Sequence, residues 1–152
     1  MKLYRAQNTE GLTDIRIDYL REDFQEMNTE LETILKSGLQ KYFPEHLDRD
    51  FFAYLAEDNG NIIGSAFLVT KEMPPNPSFP HGKIGTVLNV FVDKTYRHKG
   101  IATGLLKLLI SDAREMELDY IELKASDDGY PLYKKLGFID SISSFSPMKL
   151  IL

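Results

Sequence analysis

The strongest hydrophobic pattern in the chain is a run of seven residues, Thr86 to Val92, that are β-branched or apolar almost without interruption. Such a run is typical of a β-strand that is buried on both faces of a sheet. After a short polar stretch, apolar residues recur at helical spacing, which predicts an amphipathic helix. That helix begins at Ile101, and its apolar positions are Leu105, Leu108, Leu109 and Met116.

Other segments concentrate β-branched and aromatic residues between turn residues, which predicts further strands. These segments are Leu3–Ala6, Phe51–Ala56, Ile62–Val69 and Tyr120–Ala125. Residues 146–151 are expected to close the sheet. The Asp58–Asn61 segment predicts a tight turn between two strands. Residues 73–82 contain four prolines and are therefore expected to form a loop outside the sheet.

The helical signals lie before, between and after these strands. Thr13 or Asp14 is predicted to cap a first helix, and a second helix is expected from near Thr29 to just before Pro44. A short helix is predicted over Tyr130–Leu136, where the following glycine ends it. Together the elements predict an α/β fold in which helices flank a mixed sheet.

Composition limits the class of protein. The 152 residues, 27% of them charged and 43% hydrophobic, suit one globular domain that spans residues 1–152. A net charge of −5 argues against nucleic-acid binding, which requires a basic face. No apolar run approaches the ~20 residues that span a bilayer, and no signal peptide is evident, so a cytoplasmic location without membrane partners is expected. The absence of cysteine excludes an acyl-cysteine intermediate.

The turn between the buried strand and the amphipathic helix combines positive charge with small residues. Arg97, His98 and Lys99 precede Gly100, and Ala102 follows within the first helical turn. A helix N-terminus carries unpaired N–H groups and a partial positive charge, which attract anions. Glycine allows the ligand to approach the main chain. A phosphate or pyrophosphate site is therefore predicted here, although an ordinary turn with solvated charges fits the loop alone equally well.

Several motifs in this chain resemble those of the GNAT superfamily of N-acetyltransferases. Arg97-His98-Lys99-Gly100-Ile101-Ala102 matches the Arg/Gln-x-x-Gly-x-Gly/Ala loop that binds acyl-CoA in that family. Leu132-Tyr133-Lys134-Lys135-Leu136-Gly137-Phe138 looks like its Leu-Tyr-x-x-x-Gly-Phe block. Leu123 to Gly129 resembles the lead-in to that block, and Leu88 to Val92 resembles the fourth strand of the family. The likeness covers roughly residues 60–140 in family order.

This resemblance implies a mixed, mainly antiparallel sheet of six to seven strands flanked by helices. It also implies that the fourth and fifth strands separate and admit the pantetheine arm of acetyl-CoA, the acyl donor. Transfer to a primary amine would then be direct, within a ternary complex. The residues that the resemblance assigns to cofactor binding are Val90, Phe91, Val92, Arg97, His98, Lys99, Gly100, Ile101, Ala102 and Thr103.

Two residues are predicted to take part in catalysis. Tyr133 corresponds to the family tyrosine that protonates the departing thiolate, although a tyrosine packed on the sheet is the alternative. Asn89 stands near the position where family members often carry a glutamate base. It is expected either to orient a water molecule or to bond to a strand irregularity. Tyr130 competes with Tyr133 for the acid role, but its spacing to Gly137 does not fit the family.

The general base and the acceptor stay open. Glu22, Asp23 and Glu26 lie in the helical region that borders the acceptor site in the family, yet a solvated helix face is the favoured explanation for each. His98 and His81 are candidates for phosphate and acceptor contacts respectively, and the three histidines are too scattered for a metal site. The alternative function is a non-catalytic acyl-CoA sensor on the same fold. Expected partners are acetyl-CoA and an amine, and a homodimer is compatible with the sequence.

Overall fold

A central β-sheet with helices on both faces forms the molecule, and the computed structural model describes residues 1–152. The five strands are β1 (Lys2–Arg5), β2 (Phe51–Asp58), β3 (Asn61–Glu72), β4 (Lys83–Val92) and β5 (Tyr120–Glu122). The four α-helices are α1 (Leu12–Asp23), α2 (Thr29–His46), α3 (Ile101–Glu115) and α4 (Tyr130–Lys135). A single 3₁₀ turn, Lys94–Tyr96, lies between β4 and α3. None of the helices has the length and hydrophobicity needed to cross a lipid bilayer.

The sheet has the strand order β1-β2-β3-β4-β5. Neighbours from β1 to β4 are antiparallel, whereas β5 runs parallel to β4. The predicted α/β fold with a mixed, mainly antiparallel sheet is therefore confirmed. The predicted number of six to seven strands is wrong, because residues 146–151 form no strand. Serine at four positions and Pro147 interrupt the apolar pattern between residues 141 and 147, and no strand edge of the chain pairs with this segment.

The alternation of side chains along β2 explains why both faces of the sheet are covered. Phe52, Tyr54 and Ala56 face the cluster formed with α3, whereas the residues between them face the cluster formed with α1 and α2. All five are buried, which is expected of a strand with helices on both sides. Helix α3 therefore covers one face, and α1 and α2 cover the other.

Two predicted helix boundaries need correction. Helix α1 begins at Leu12 behind Gly11, whose φ of 77° lies in the left-handed region, so neither Thr13 nor Asp14 is the cap. Helix α2 continues through Pro44 to His46 instead of stopping before the proline. Pro44 lies in the last turn, where a missing N–H removes at most one helical hydrogen bond.

The site is positioned by the separation of β4 from β5. The two strands pair only from Ile84–Tyr120 to Thr86–Glu122, so the rest of β4 has an open edge. Within that open part, Asn89 and Val90 lie opposite the single residue Ala66 of β3 and form a β-bulge. The φ of Asn89 is 53°, which falls in the left-handed region that asparagine tolerates. The bulge, the start of α3 and helix α4 surround this opening.

Candidate active site

The loop between β4 and α3 presents a row of unpaired backbone donors. No N–H group from His98 to Thr103 has a hydrogen-bond acceptor within the protein. Positive φ angles at His98 (63°) and Gly100 (81°) turn the chain so that the row leads into the first turn of α3. Six successive unpaired donors at a helix N-terminus are an arrangement that can bind an anion.

The loop is held in this shape by Asp93. Its carboxylate accepts hydrogen bonds from the N–H and the hydroxyl of Thr95, at 3.1 and 2.9 Å, and its carbonyl accepts from the N–H of Tyr96. The hydroxyl of Tyr96 in turn donates to Asp58 at the end of β2, at 2.8 Å. A Cβ atom added to Gly100 would have no neighbour within 4 Å, so the space beside this residue is open.

Arg97, the first residue of the basic motif, is already engaged. Its Nε donates to the carbonyl of Val92 at 2.7 Å, and its terminal nitrogen contacts both carboxylate oxygens of Glu22 at 2.8 Å. The guanidinium also lies 5.7 Å from the ring centre of Phe91. Arg97 therefore joins the donor loop to α1, and its charge is balanced by Glu22 when no ligand is bound. No side chain bonds to the main chain of Val90, whereas the Val92 carbonyl has a donor.

Asn89 lies inside the bulge and is almost completely buried. Its amide nitrogen donates to the hydroxyl of Ser65 at 3.0 Å and to the carbonyl of Ile15 at 3.5 Å, and Ser65 donates back to the Asn89 carbonyl at 2.8 Å. Its side-chain oxygen accepts from Arg16 of α1 at 3.1 Å. Both polar atoms of the side chain thus have partners, an arrangement that suits support of the bulge better than contact with water.

Tyr133 packs against the same apolar cluster as Val90 and Val92 of β4. It lies in α4, half-buried beside the open edge, with its ring 5.7 Å from that of Phe138. Burial, together with the nearby Tyr19 phenol, raises the pKa of Tyr133 above its ordinary value, so the hydroxyl keeps its proton at neutral pH. Tyr130 differs because its hydroxyl donates to Asp140 at 2.8 Å, and that bond raises its pKa. Of the two tyrosines, only Tyr133 has a hydroxyl without a protein partner.

The other candidates are divided between the site and distant positions. Glu22 reaches the donor loop, and Asp23 accepts a 3.5 Å hydrogen bond from Tyr19, while Glu26 makes no polar contact. His81 pairs with Asp119 at 2.7 Å near the start of β4. The bulge lies six residues further along β4, a distance of about 20 Å at the usual strand rise. The structure therefore does not bring the proline-rich loop to the opening.

Two site residues, Arg16 and Tyr19, were not anticipated. Both lie in α1, and the Arg16 guanidinium stacks 5.7 Å from the centre of the Tyr19 ring. In the sequence, Tyr19 is one of the apolar positions that recur at helical spacing, and Arg16 is at a polar position of the same helix. Their approach to Asn89 and Tyr133 depends on the packing of α1 against the sheet, for which the sequence has no local signal.

An open strand edge, a donor row at a helix N-terminus and a protonated phenol define an acyl-CoA transferase type of site. A family model described as "Acetyltransferase (GNAT) family" matches residues 13–138. The chain belongs to this family. Its fold is similar to that of a predicted acetyltransferase from Clostridium acetobutylicum crystallised with acetyl-CoA, with a TM-score of 0.81 and 28% identity over 97% of this chain and 95% of that one. A GCN5-related N-acetyltransferase from Ralstonia eutropha shares the fold, with a TM-score of 0.78 and 24% identity over 97% of each chain.

Two curated relatives are similar over shorter stretches. One is a glucosamine 6-phosphate N-acetyltransferase of Trypanosoma brucei brucei, 32% identical over 84 residues, which are 54% of each protein. The other is an N-alpha-acetyltransferase of Sulfurisphaera tokodaii, 31% identical over 109 residues, which are 64% of this chain and 62% of the relative. The matches thus cover between half and two thirds of these relatives.

Proposed function

We propose that this protein transfers the acetyl group of acetyl-CoA to a primary amine, directly and within a ternary complex. The observation that carries the proposal is the row of six unpaired N–H groups from His98 to Thr103, which fits a pyrophosphate. The open edge of β4 next to that row suits an extended pantetheine chain, which can pair with strand main-chain groups. The relative that was crystallised with acetyl-CoA supports the same donor.

Residues around the opening fit two requirements of amine acylation, which are stabilisation of the oxyanion and protonation of the leaving thiolate. The amine attacks the thioester carbonyl, and the negative charge that develops on its oxygen is best met by a preorganised N–H group, for which we propose Val90 beside the bulge. The thiolate then leaves and takes a proton from the Tyr133 hydroxyl, which is protonated at neutral pH. The chain has no cysteine, so no acyl-cysteine step is available.

The role of Asn89 in this scheme is indirect. Its side chain holds the bulge to Ser65 and α1, and Val90 is the other residue of that bulge. We therefore propose that Asn89 positions the oxyanion donor. Because an amide does not titrate, we propose that the proton of the attacking amine passes to solvent water.

An acyl-CoA sensor without turnover is the competing function, and one experiment separates the two. The protein is incubated with acetyl-CoA and a panel of amines that includes an amino sugar phosphate and a peptide N-terminus, following the two named relatives. Free thiol release is recorded with and without amine, and the melting temperature is recorded with acetyl-CoA alone. Amine-dependent thiol release supports the enzyme. Stabilisation by acetyl-CoA without thiol release in the presence of any amine supports the sensor. If neither thiol release nor stabilisation is observed, both functions are refuted.

A further inference from the structure

Arg16 is a charged side chain in the site for which the protein supplies no opposite charge at close range. Its guanidinium is half-buried between α1 and the bulge, where it donates one hydrogen bond, to Asn89. No carboxylate lies within 4 Å of it, whereas Arg5, Arg21 and Arg97 each have one. Burial lowers the pKa of Arg16, although Tyr19 and Asp23 partly offset this effect.

A half-buried guanidinium that has lost part of its hydration needs an acceptor to offset the cost. Four of its five N–H donors are without a partner, because Asn89 takes only one. Asp23 is too far away to bond and is already the acceptor for Tyr19. Arg16 belongs to α1, which covers the face of the sheet opposite α3, and we take this face as the side from which the amine approaches.

We propose that Arg16 binds an anionic group of the acceptor, so that the substrate is a small primary amine that also carries a carboxylate or a phosphate. This inference rests on the proposed acetyltransferase function. The neighbouring Tyr19 ring stacks on the same guanidinium and holds it in place. The positive charge at this point would also disfavour polyamines, because a second ammonium group would face Arg16.

The test uses acceptors that differ in charge but share an amine of similar basicity. The first set consists of 4-aminobutyrate, 1-aminobutane and 1,4-diaminobutane, and the second consists of 2-aminoethyl phosphate and ethanolamine. We expect the wild type to have a KM at least about tenfold lower for the anionic member of one set, since a charge-assisted hydrogen bond is worth about 1.5–3 kcal/mol. A preference in the first set would identify the anionic group of the acceptor as a carboxylate, and a preference in the second set would identify it as a phosphate.

Arg16→Gln removes the charge and keeps an N–H donor for Asn89, so the bulge remains satisfied. It should raise the KM for the preferred anionic amine by about 10- to 100-fold and leave the KM of the neutral amine nearly unchanged. Arg16→Lys should recover part of the preference. Arg114→Gln, which removes an exposed charge from α3, is the matched control and should change neither the KM of the anionic amine nor that of the neutral amine. An equal effect of Arg16→Gln on both members of a set would refute the inference.

A second measurement does not depend on turnover. With the protein saturated by CoA, inorganic phosphate should raise the melting temperature of the wild type but not of Arg16→Gln, because the loop donors are already occupied. Equal shifts overturn the inference even if CoA binds. If neither CoA nor acetyl-CoA stabilises the wild type, the proposed function itself fails.

Discussion

The donor loop can be tested by a change of charge at a single backbone position. Gly100 has a φ of 81°, and a Cβ there would point into open space in front of the N–H row. Asparagine and aspartate both tolerate the left-handed region and have the same size. Gly100→Asp and Gly100→Asn therefore share the cost of backbone strain and differ only by one negative charge in the proposed pyrophosphate site.

The size of the charge effect follows from Coulomb's law. A carboxylate about 5 Å from one phosphate charge costs about 3 kcal/mol at an effective dielectric constant of about 20. Since 1.4 kcal/mol is a factor of ten, acetyl-CoA should bind to Gly100→Asp roughly 100-fold more weakly than to Gly100→Asn. At saturating acetyl-CoA, the ligand-induced rise in Tm should be roughly 5–10 °C smaller for the aspartate variant.

Isothermal titration calorimetry gives both Kd values, and thermal unfolding without ligand shows whether the two variants are equally stable. High salt provides an internal control, because at 1 M ionic strength the Debye length is about 3 Å and the difference between the variants should shrink. Equal Kd values for two folded variants at low salt would mean that no phosphate lies in front of Gly100. The assignment of the N–H row would then be wrong.

Three further predictions concern other groups. Tyr133→Phe should leave the Kd of acetyl-CoA unchanged and lower kcat by about 10- to 100-fold, and because burial raises the pKa of Tyr133, the wild-type kcat should not decline below about pH 10. Tyr54→Phe should cost about 1–2 kcal/mol in urea unfolding at pH 7 through loss of the 2.8 Å bond to Asp112. The raised pKa of Tyr54 stabilises the fold below about pH 10 and this stabilisation is lost as pH rises further, so the variant should lose less stability between pH 9 and about 11. Glu22→Gln frees the loop guanidinium and should tighten acetyl-CoA binding up to about fivefold, while Glu26→Gln, its unpaired neighbour, should have no effect.

The elements that could be predicted from the sequence are those with local causes. The buried strand ending at Val92 and the helix beginning at Ile101 are set by side-chain periodicity, and the basic glycine turn between them follows directly. The structure places this loop as expected, with its donors unpaired. The predicted end of α2 is wrong because the free-energy cost of Pro44 depends on its position in the helix. The presence of a proline in the sequence does not by itself show that position.

The contacts that shape the acceptor side have no such local cause. Arg16 and Asn89 are separated by 73 positions in the chain and meet only because α1 packs across the bulge. The bulge itself requires one extra residue in β4 relative to β3, which depends on strand register and not on the identity of Asn89. The predicted closing strand at residues 146–151 is absent because a strand also needs a partner, and this segment pairs with neither edge strand, β1 nor β5.

Helix α1 links the two halves of the site. Near its end, Glu22 pairs with Arg97 of the donor loop, and six positions earlier Arg16 bonds to Asn89 in the bulge. If acetyl-CoA binds as proposed, the negative charge of its pyrophosphate competes with Glu22 for Arg97 and weakens this contact between α1 and the donor loop. The contact between Arg16 and Asn89 involves neither group, and Asn89 is buried. We therefore predict that donor binding loosens the end of α1 while its middle, which carries Arg16, stays attached to β4, so that the acceptor enters after acetyl-CoA.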